Sequence, residues 1–218
     1  MIILNKEDLR FSTEVANSAK DFPKGKRTKA ALRVAVCQSA DTVDITQLTV
    51  ANICKAANVS HGTFYIYFPD RAALLADIAL LFIDFLQCQM RKAAQDTMTD
   101  PIKAATAIYV GLFEQNPGLM KYLINQLKPH PSAQAAFQKL NREWLDAVVA
   151  ATERRLTLKG ETIAHDELMR RAYALGGMTD QYLINIFLTK DPYMCSFSKD
   201  LGAVVDTLSS LWHKGLQP

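Results

Sequence analysis

The sequence predicts an all-α protein of about nine helices, with a small amino-terminal part followed by a larger one. Three observations predict it. Apolar residues recur at the three- and four-residue spacing of a helix face through most of the chain. No segment shows the apolar–polar alternation of a half-buried strand. Breaks of Pro, Gly and Asn cut the chain into helix-length pieces. The 218 residues suit a small domain joined to a larger one, and 49% apolar with 22% charged is the balance of a globular chain.

The first helix is predicted from about Gly25–Thr28 to Ala40, burying Ala31, Leu32, Ala35 and Val36. "SADTVDIT" connects it to a short helix that Thr46 or Thr49 caps and that ends near Ala57. Asn58 follows, a residue type that accepts the left-handed backbone a sharp turn demands. Ser60 caps the third helix, His61 to about Tyr67, and Pro69 ends it by forcing Phe68 out of the α region. Asp70 caps a long fourth helix, "RAALLADIALLFIDFLQCQMRKAAQ", apolar on more than one face. Asp100-Pro101 opens a helix to about Gln115, and Asn116-Pro117-Gly118 closes it. A short helix spans 119–127. Ser132 caps a long one, 133–158, with Phe137, Leu140, Trp144 and Leu145 inward. Lys159-Gly160 stops that one. The last two are predicted over about 162–189 and 199–213. Three parts result: an extension, 1–24, which adds a helix or stays loose; a small domain, 25–75; and a larger one, 76–218.

Composition excludes several classes. Cys37, Cys54, Cys88 and Cys195 are widely spaced, without a CxxC pair or matching histidines, so neither a metal site nor a disulfide framework is expected and the thiols are read as mostly buried. No apolar run approaches the roughly 20 residues of a membrane span. The opening "MIILNKEDLR" lacks the pattern of a secretory signal, so a cytoplasmic location is expected. His130, His165 and His213 stand alone, and "KGKRT" lacks the earlier glycine and preceding strand of a phosphate-binding loop. No catalytic constellation, and no cofactor, is expected.

Charge is uneven. Residues 1–75 hold ten Lys/Arg against seven Asp/Glu, while the remainder balances to zero. "KDFPKGKRTKAALR", 20–33, carries six basic residues and one acidic. That is the electrostatic footprint a polyanion requires, although a lysine-rich terminus gives the same count.

"NVSHGTFYIYF", 58–68, packs aromatics and an isoleucine into a short, polar-started helix. Two helices joined by a three- or four-residue turn form the helix-turn-helix pattern. Val50, Ile53, Ala57, Val59, Phe64 and Phe68 supply its apolar skeleton. With Phe64 inward, His61, Gly62, Tyr65 and Ile66 point outward, flanked by Thr63 and Tyr67. That outward set suits the major groove of DNA: His61 for a base edge or phosphate, Gly62 for close approach, Ile66 for a thymine methyl, tyrosine hydroxyls for phosphates.

"VANICKAANVSHGTFYIYFPDRAALL" resembles the DNA-binding signature of the TetR family of bacterial transcriptional regulators. Ile53, Ala57, Val59, Ser60, Gly62, Thr63, Tyr65, Tyr67, Phe68 and Leu74 match in type and spacing. Cys54 replaces the usual alanine, Asn58 the glycine and Arg71 the lysine, each keeping the physical property required. The resemblance covers 25–75. It implies base or groove contacts from His61, Gly62, Tyr65 and Ile66. It further implies phosphate contacts from Thr49, Lys55, Ser60, Thr63, Tyr67 and Arg71, with Lys26 and Arg27 near the adjacent backbone or minor groove.

For 76–218 the resemblance implies a helical ligand-binding and dimerisation domain. Leu201, Val204, Val205, Leu208, Leu211 and Trp212 form a wide apolar stripe. Gly176-Gly177 sits mid-helix, costly unless another helix comes close or the helix bends. Pairing with a second copy explains both features, and completing the monomer's own core is the other reading. Phe85, Tyr109, Phe113, Tyr122, Trp144, Met178 and Tyr182, interrupted by Gln126 and Gln181, either line an apolar effector pocket or make ordinary core. The expectation is a regulator, a repressor by family habit, that binds a palindromic double-stranded operator as a homodimer and leaves it when a largely apolar small molecule binds. The alternatives are a helical protein-interaction adaptor, or a small-molecule-binding protein that does not bind DNA.

Overall fold

The computed structural model describes residues 8–97 and 99–218; the first seven residues of the expected extension lie outside the described residues. Among the described residues there are eleven α-helices and no strand. They are α1 (Phe11–Ser18), α2 (Lys24–Ala40), α3 (Val50–Ala57), α4 (His61–Tyr67), α5 (Arg71–Asp96) and α6 (Pro101–Gln115). The chain continues through α7 (Pro117–Asn125), α8 (Pro131–Leu158), α9 (His165–Leu183), α10 (Pro192–Phe197) and α11 (Leu201–Gly215). A 3-10 turn, Ile45–Gln47, precedes α3, and a π-helical turn, Ile184–Leu188, prolongs α9.

The two helices beyond the expected nine are the short ones, α1 and α10. For α10 the signal was present in "KDPYMCS": the Asp191 carboxylate accepts from the Met194 N–H at 2.9 Å, and Pro192 takes the first helical position. For α1 the sequence was ambiguous, because what holds it lies about a hundred residues away. Phe11 and Val15 are buried, and the Phe11 N–H donates to the Asn116 side-chain oxygen at 2.8 Å. The Asn116 amide in turn donates to the Leu9 carbonyl at 2.8 Å. A buried asparagine with both ends used satisfies backbone groups that the core would otherwise strand.

The described residues group into two compact units. The first comprises 8–86 with Gly111–Ala136; the second, Gln87–Val110 with Phe137–Pro218. In the first, Leu32, Val36, Ile53, Phe64, Leu74, Ile78 and Phe82 are essentially inaccessible. Burying a side chain of that size stabilises by about 1.5–3 kcal/mol. Phe11 packs against Phe82 and Phe85 at centroid distances of 5.3 and 5.4 Å. Arg33 grips Asp77 through two hydrogen bonds of 2.7 and 3.0 Å, tying α2 to α5. Gly118 of α7 lies so close to α2 that an added Cβ would fall 2.0 Å from the Ala40 carbonyl oxygen. In the second unit Leu145, Val149, Leu168, Ala172, Trp212 and Leu216 form a closed core.

Several expectations are corrected here. On α2, Ala30 rather than Ala31 is buried, one position round the helix. α8 starts at Pro131, so Ser132 is its second residue and not its cap. Phe137, Leu140 and Trp144 of α8 are half-buried, and only Leu145 of that set is fully inward. Two of the four thiols, Cys37 and Cys54, are buried; Cys195 is half-buried and Cys88 exposed. The chain does contain a helix long and apolar enough to cross a membrane, Arg71–Asp96. Its Leu74, Ile78, Phe82 and Leu86 are core residues, which accounts for its composition.

Candidate nucleic-acid interface

The helix-turn-helix is built from three local devices. The Thr49 hydroxyl accepts from the Asn52 N–H at 3.2 Å and starts α3. Asn58 ends it in the left-handed conformation, φ 52° and ψ 48°. The Asn58 N–H then reaches the Lys55 carbonyl and the Val59 N–H the Cys54 carbonyl, closing the last turn. Ser60 starts α4 by accepting from the Thr63 N–H at 3.1 Å. Thr49 rather than Thr46 is the cap, because Thr46 belongs to the preceding 3-10 turn.

Phe64, with 0% exposure, is the pin that sets the rotation of α4. Given that pin, 3.6 residues per turn puts His61, Gly62, Tyr65 and Ile66 outside, with Thr63 and Tyr67 half-buried beside them. Tyr65 is 57% exposed and Ile66 76%, an apolar surface that a folded chain normally covers. Tyr65 is not loose, since its ring stands edge-on to Phe64 at 5.3 Å. Lys55, Thr49 and Ser60 are exposed as well.

Tyr67 has a structural neighbour that the motif did not reveal. A Cβ on Gly25 would lie 3.3 Å from the Tyr67 hydroxyl oxygen, so the phenol sits at the first turn of α2. That turn has no side-chain cap and no acidic residue, and it carries Lys24, Lys26 and Arg27. Free N–H groups and the positive helix end there favour an anion beside the phenol. Of the remaining cations of the basic segment, Lys29 and Arg33 have internal work. Lys29 lies 4.9 Å over the Phe68 ring and 3.6 Å from Asp77, while Arg33 holds Asp77. Lys26 lies 5.2 Å over the Phe22 ring.

Arg71 is turned onto the turn before α3, its Nη1 donating to the Thr46 and Leu48 carbonyls at 2.6 and 2.9 Å. Asp44 opens that turn. Its carboxylate accepts from Lys121 Nζ at 2.7 Å, from Gln126 Nε2 at 3.2 Å and from the Thr46 hydroxyl at 2.6 Å. The Lys121 hydrogen bond, followed by those from Thr46, holds the carboxyl far below the usual range. Gln126, named above for the effector pocket, is thus committed to the approach to the helix-turn-helix.

The other candidate effector residues divide between the units. Phe85, Phe113 and Tyr122 are buried in the first. The Tyr122 hydroxyl has no hydrogen-bond partner among the described residues, and burial pushes its pKa up to about 12. Tyr109, Trp144, Met178, Gln181 and Tyr182 belong to the second unit. The Tyr109 hydroxyl donates to Asp180 at 2.8 Å, the Tyr182 hydroxyl lies 3.3 Å from that of Ser198, and exposed Gln181 donates to Asn185. Asp180 carried no motif. Only the pairing of α6 with α9 reveals it.

Of the dimer-stripe residues, Val204, Val205, Leu208 and Trp212 are already buried in this chain, and the Trp212 indole donates to Thr179 at 3.0 Å. Leu201 is half-buried and Leu211 41% exposed. Gly177 is exposed with nothing within 4 Å of an added Cβ, and Gly176 has only Leu145, at 3.9 Å. No close helix among the described residues explains the glycine pair. Among the described residues no group of three His, Cys, Asp or Glu could hold a metal ion.

A capped, ring-bearing helix carried on a helix-turn-helix scaffold is the arrangement of a DNA-binding domain of the helix-turn-helix class. Residues 29–78 match the family model described as bacterial regulatory proteins, tetR family, so the resemblance read from the sequence stands over that segment. The chain is similar to the HTH-type transcriptional regulator EthR of Mycolicibacterium smegmatis, at 24% identity over 195 residues, 87% of this chain and 86% of that one. Its fold is shared with the fatty acid degradation regulator FadR from Bacillus halodurans, TM-score 0.65 at 18% identity, covering 85% of this chain and 94% of that one. It is shared also with Thermus thermophilus FadR, a TetR-family repressor solved with lauroyl-CoA, TM-score 0.54 at 20% identity over 87% of this chain and 95% of that one.

Proposed function

We propose that this chain is a cytoplasmic, non-enzymatic repressor that binds a palindromic operator as a homodimer and leaves it when a largely apolar small molecule occupies the second unit. The observation that carries the DNA-binding half is the outward face of α4, where Tyr65 and Ile66 stand exposed beside His61 and Gly62. A soluble chain keeps such a surface bare for a partner, and the capped helix start with Lys55 and Ser60 beside it suits a phosphate-lined groove. His61, Gly62, Tyr65 and Ile66 read the bases. Thr49, Lys55, Ser60, Thr63, Tyr67 and Arg71 hold the backbone, with Lys26 and Arg27 at the flank.

Twofold pairing through α9 and α11 has its own support. Arg170, Tyr173, Ala174, Gly177 and Gln181 form an exposed stripe on α9, and Ala203, Thr207, Ser210 and Leu211 one on α11. The small residues among them, Ala174, Gly177, Ala203 and Ser210, let a second copy's helices approach closely. Two recognition helices about 34–36 Å apart then read two half-sites.

The test is selection of bound genomic fragments followed by gel shift on the enriched sequence. Binding should fall steeply with salt, as release of several counterions requires. A Tyr65→Ala, Ile66→Ala double variant should melt like the parent and lose the specific shift. Retention of that shift would remove α4 as the reading element.

A further inference from the structure

We propose that Asp180 is the polar anchor of the effector site, and that the effector carries a cationic head, an amine on an apolar body, in place of an acidic one. This rests on the second unit being the effector-binding part. The Tyr109 hydroxyl of α6 donates to Asp180 Oδ1 of α9 at 2.8 Å. No lysine, arginine or histidine pairs with this carboxylate among the described residues. Three cations of the same unit are engaged elsewhere: Lys103 on Asp206 at 2.6 Å, Arg171 on Glu167 at 2.8 Å, and His213 beside Asp100 at 2.9 Å.

A carboxylate that protein atoms desolvate, and that one neutral hydroxyl supports, holds uncompensated negative charge. Burial raises the pKa of Asp180, and burial first, then the Asp180 charge, raises that of Tyr109. Even so, both residues keep some accessible surface. A group that is desolvated yet reachable is placed for a ligand. Met178 and Tyr182, on the same helix as Asp180, and Ile108, next to Tyr109 in the chain, are likewise half-buried. An apolar body can lie along them while its head meets Asp180. An acidic head would set like charge against like, and would have to neutralise one of the two.

The experiment uses the full-length chain without DNA and three probes of one chain length: dodecylamine, dodecanol and laurate, each below its micellar concentration. Titration calorimetry should give dodecylamine an affinity on the order of tenfold or more above laurate, with dodecanol between, as a charge-assisted contact requires. Asp180→Asn, which keeps an acceptor for Tyr109, should lower the amine affinity about tenfold, leave dodecanol within about twofold, and remove the discrimination against laurate. Laurate binding as tightly as the amine would overturn the proposal. So would an unchanged preference in a folded Asp180→Asn variant, or binding of none of the three. A failed DNA-binding reading shows separately, as the absence of any salt-sensitive gel shift in the unliganded protein.

Discussion

The Lys121 ammonium donates to the Asp44 carboxylate at 2.7 Å, fastening α7 to the turn that leads into the helix-turn-helix. Gln126 adds a second donor from the end of the same helix, and Arg71 holds the carbonyls of the turn from its other side. The orientation of α3 and α4 is therefore set partly by residues far along the chain.

From this clamp follows a pH dependence with a definite sign. The folded pKa of Asp44 lies below its ordinary 3.8, so the clamp contributes fully above that value and is lost as pH falls towards the folded pKa. Lys121 is largely exposed, so Lys121→Met should cost only about 0.5–1 kcal/mol at pH 7. The cost should be constant from about pH 5 upwards and shrink below pH 4, as read from urea midpoints.

Position on α4 should separate stability from recognition. Phe64→Ala empties a site with 0% exposure and should cost about 3–5 kcal/mol, visible as a large drop in melting temperature. Ile66→Ala, one residue from the helix end and 76% exposed, should change stability by less than about 0.5 kcal/mol. Its effect should instead fall on DNA affinity, measured by fluorescence anisotropy.

Two glycines should respond in opposite ways to the same substitution. Gly118→Ala would drive a methyl to within 2.0 Å of a backbone oxygen, and the neighbouring chain cannot yield; loss of several kcal/mol or of the fold is expected by thermal melt. Gly177→Ala meets nothing within 4 Å and should gain up to about 1 kcal/mol of helix stability. If the copies pair through this face, the same variant should dissociate at higher concentration in sedimentation equilibrium. Tighter or unchanged pairing would place the interface elsewhere.

The thiols should react in order of access. Cys88 is exposed, whereas Cys37 is buried and its pKa is pushed up to about 12, chiefly by burial. A disulfide reagent at pH 8 should modify Cys88 within the dead time of ordinary mixing and reach Cys37 and Cys54 only on unfolding, as counted by mass spectrometry.

Local signals were legible because each depends on a few neighbouring residues. Thr49 and Ser60 as caps, Asn58 in the left-handed turn and the outward placement of Tyr65 and Ile66 all follow from chain-local geometry and one buried ring. These also carried the family resemblance, read over 25–75 and matched by the family model over 29–78. Long-range partners were not legible. The anchor of α1 on Asn116, the grip of Lys121 and Gln126 on Asp44, and the meeting of Tyr109 with Asp180 join residues from 71 to 107 positions apart. Hydrophobic spacing marks which side of a helix is apolar, but it does not say which neighbour covers it. Thus the stripe of α11 was visible in the sequence, while only the tertiary structure showed that Val204, Leu208 and Trp212 spend it inside their own chain. The order of residues determined the helices and the recognition face. Packing, in which distant surfaces compete for the same apolar area, decided which polar groups were left without a partner.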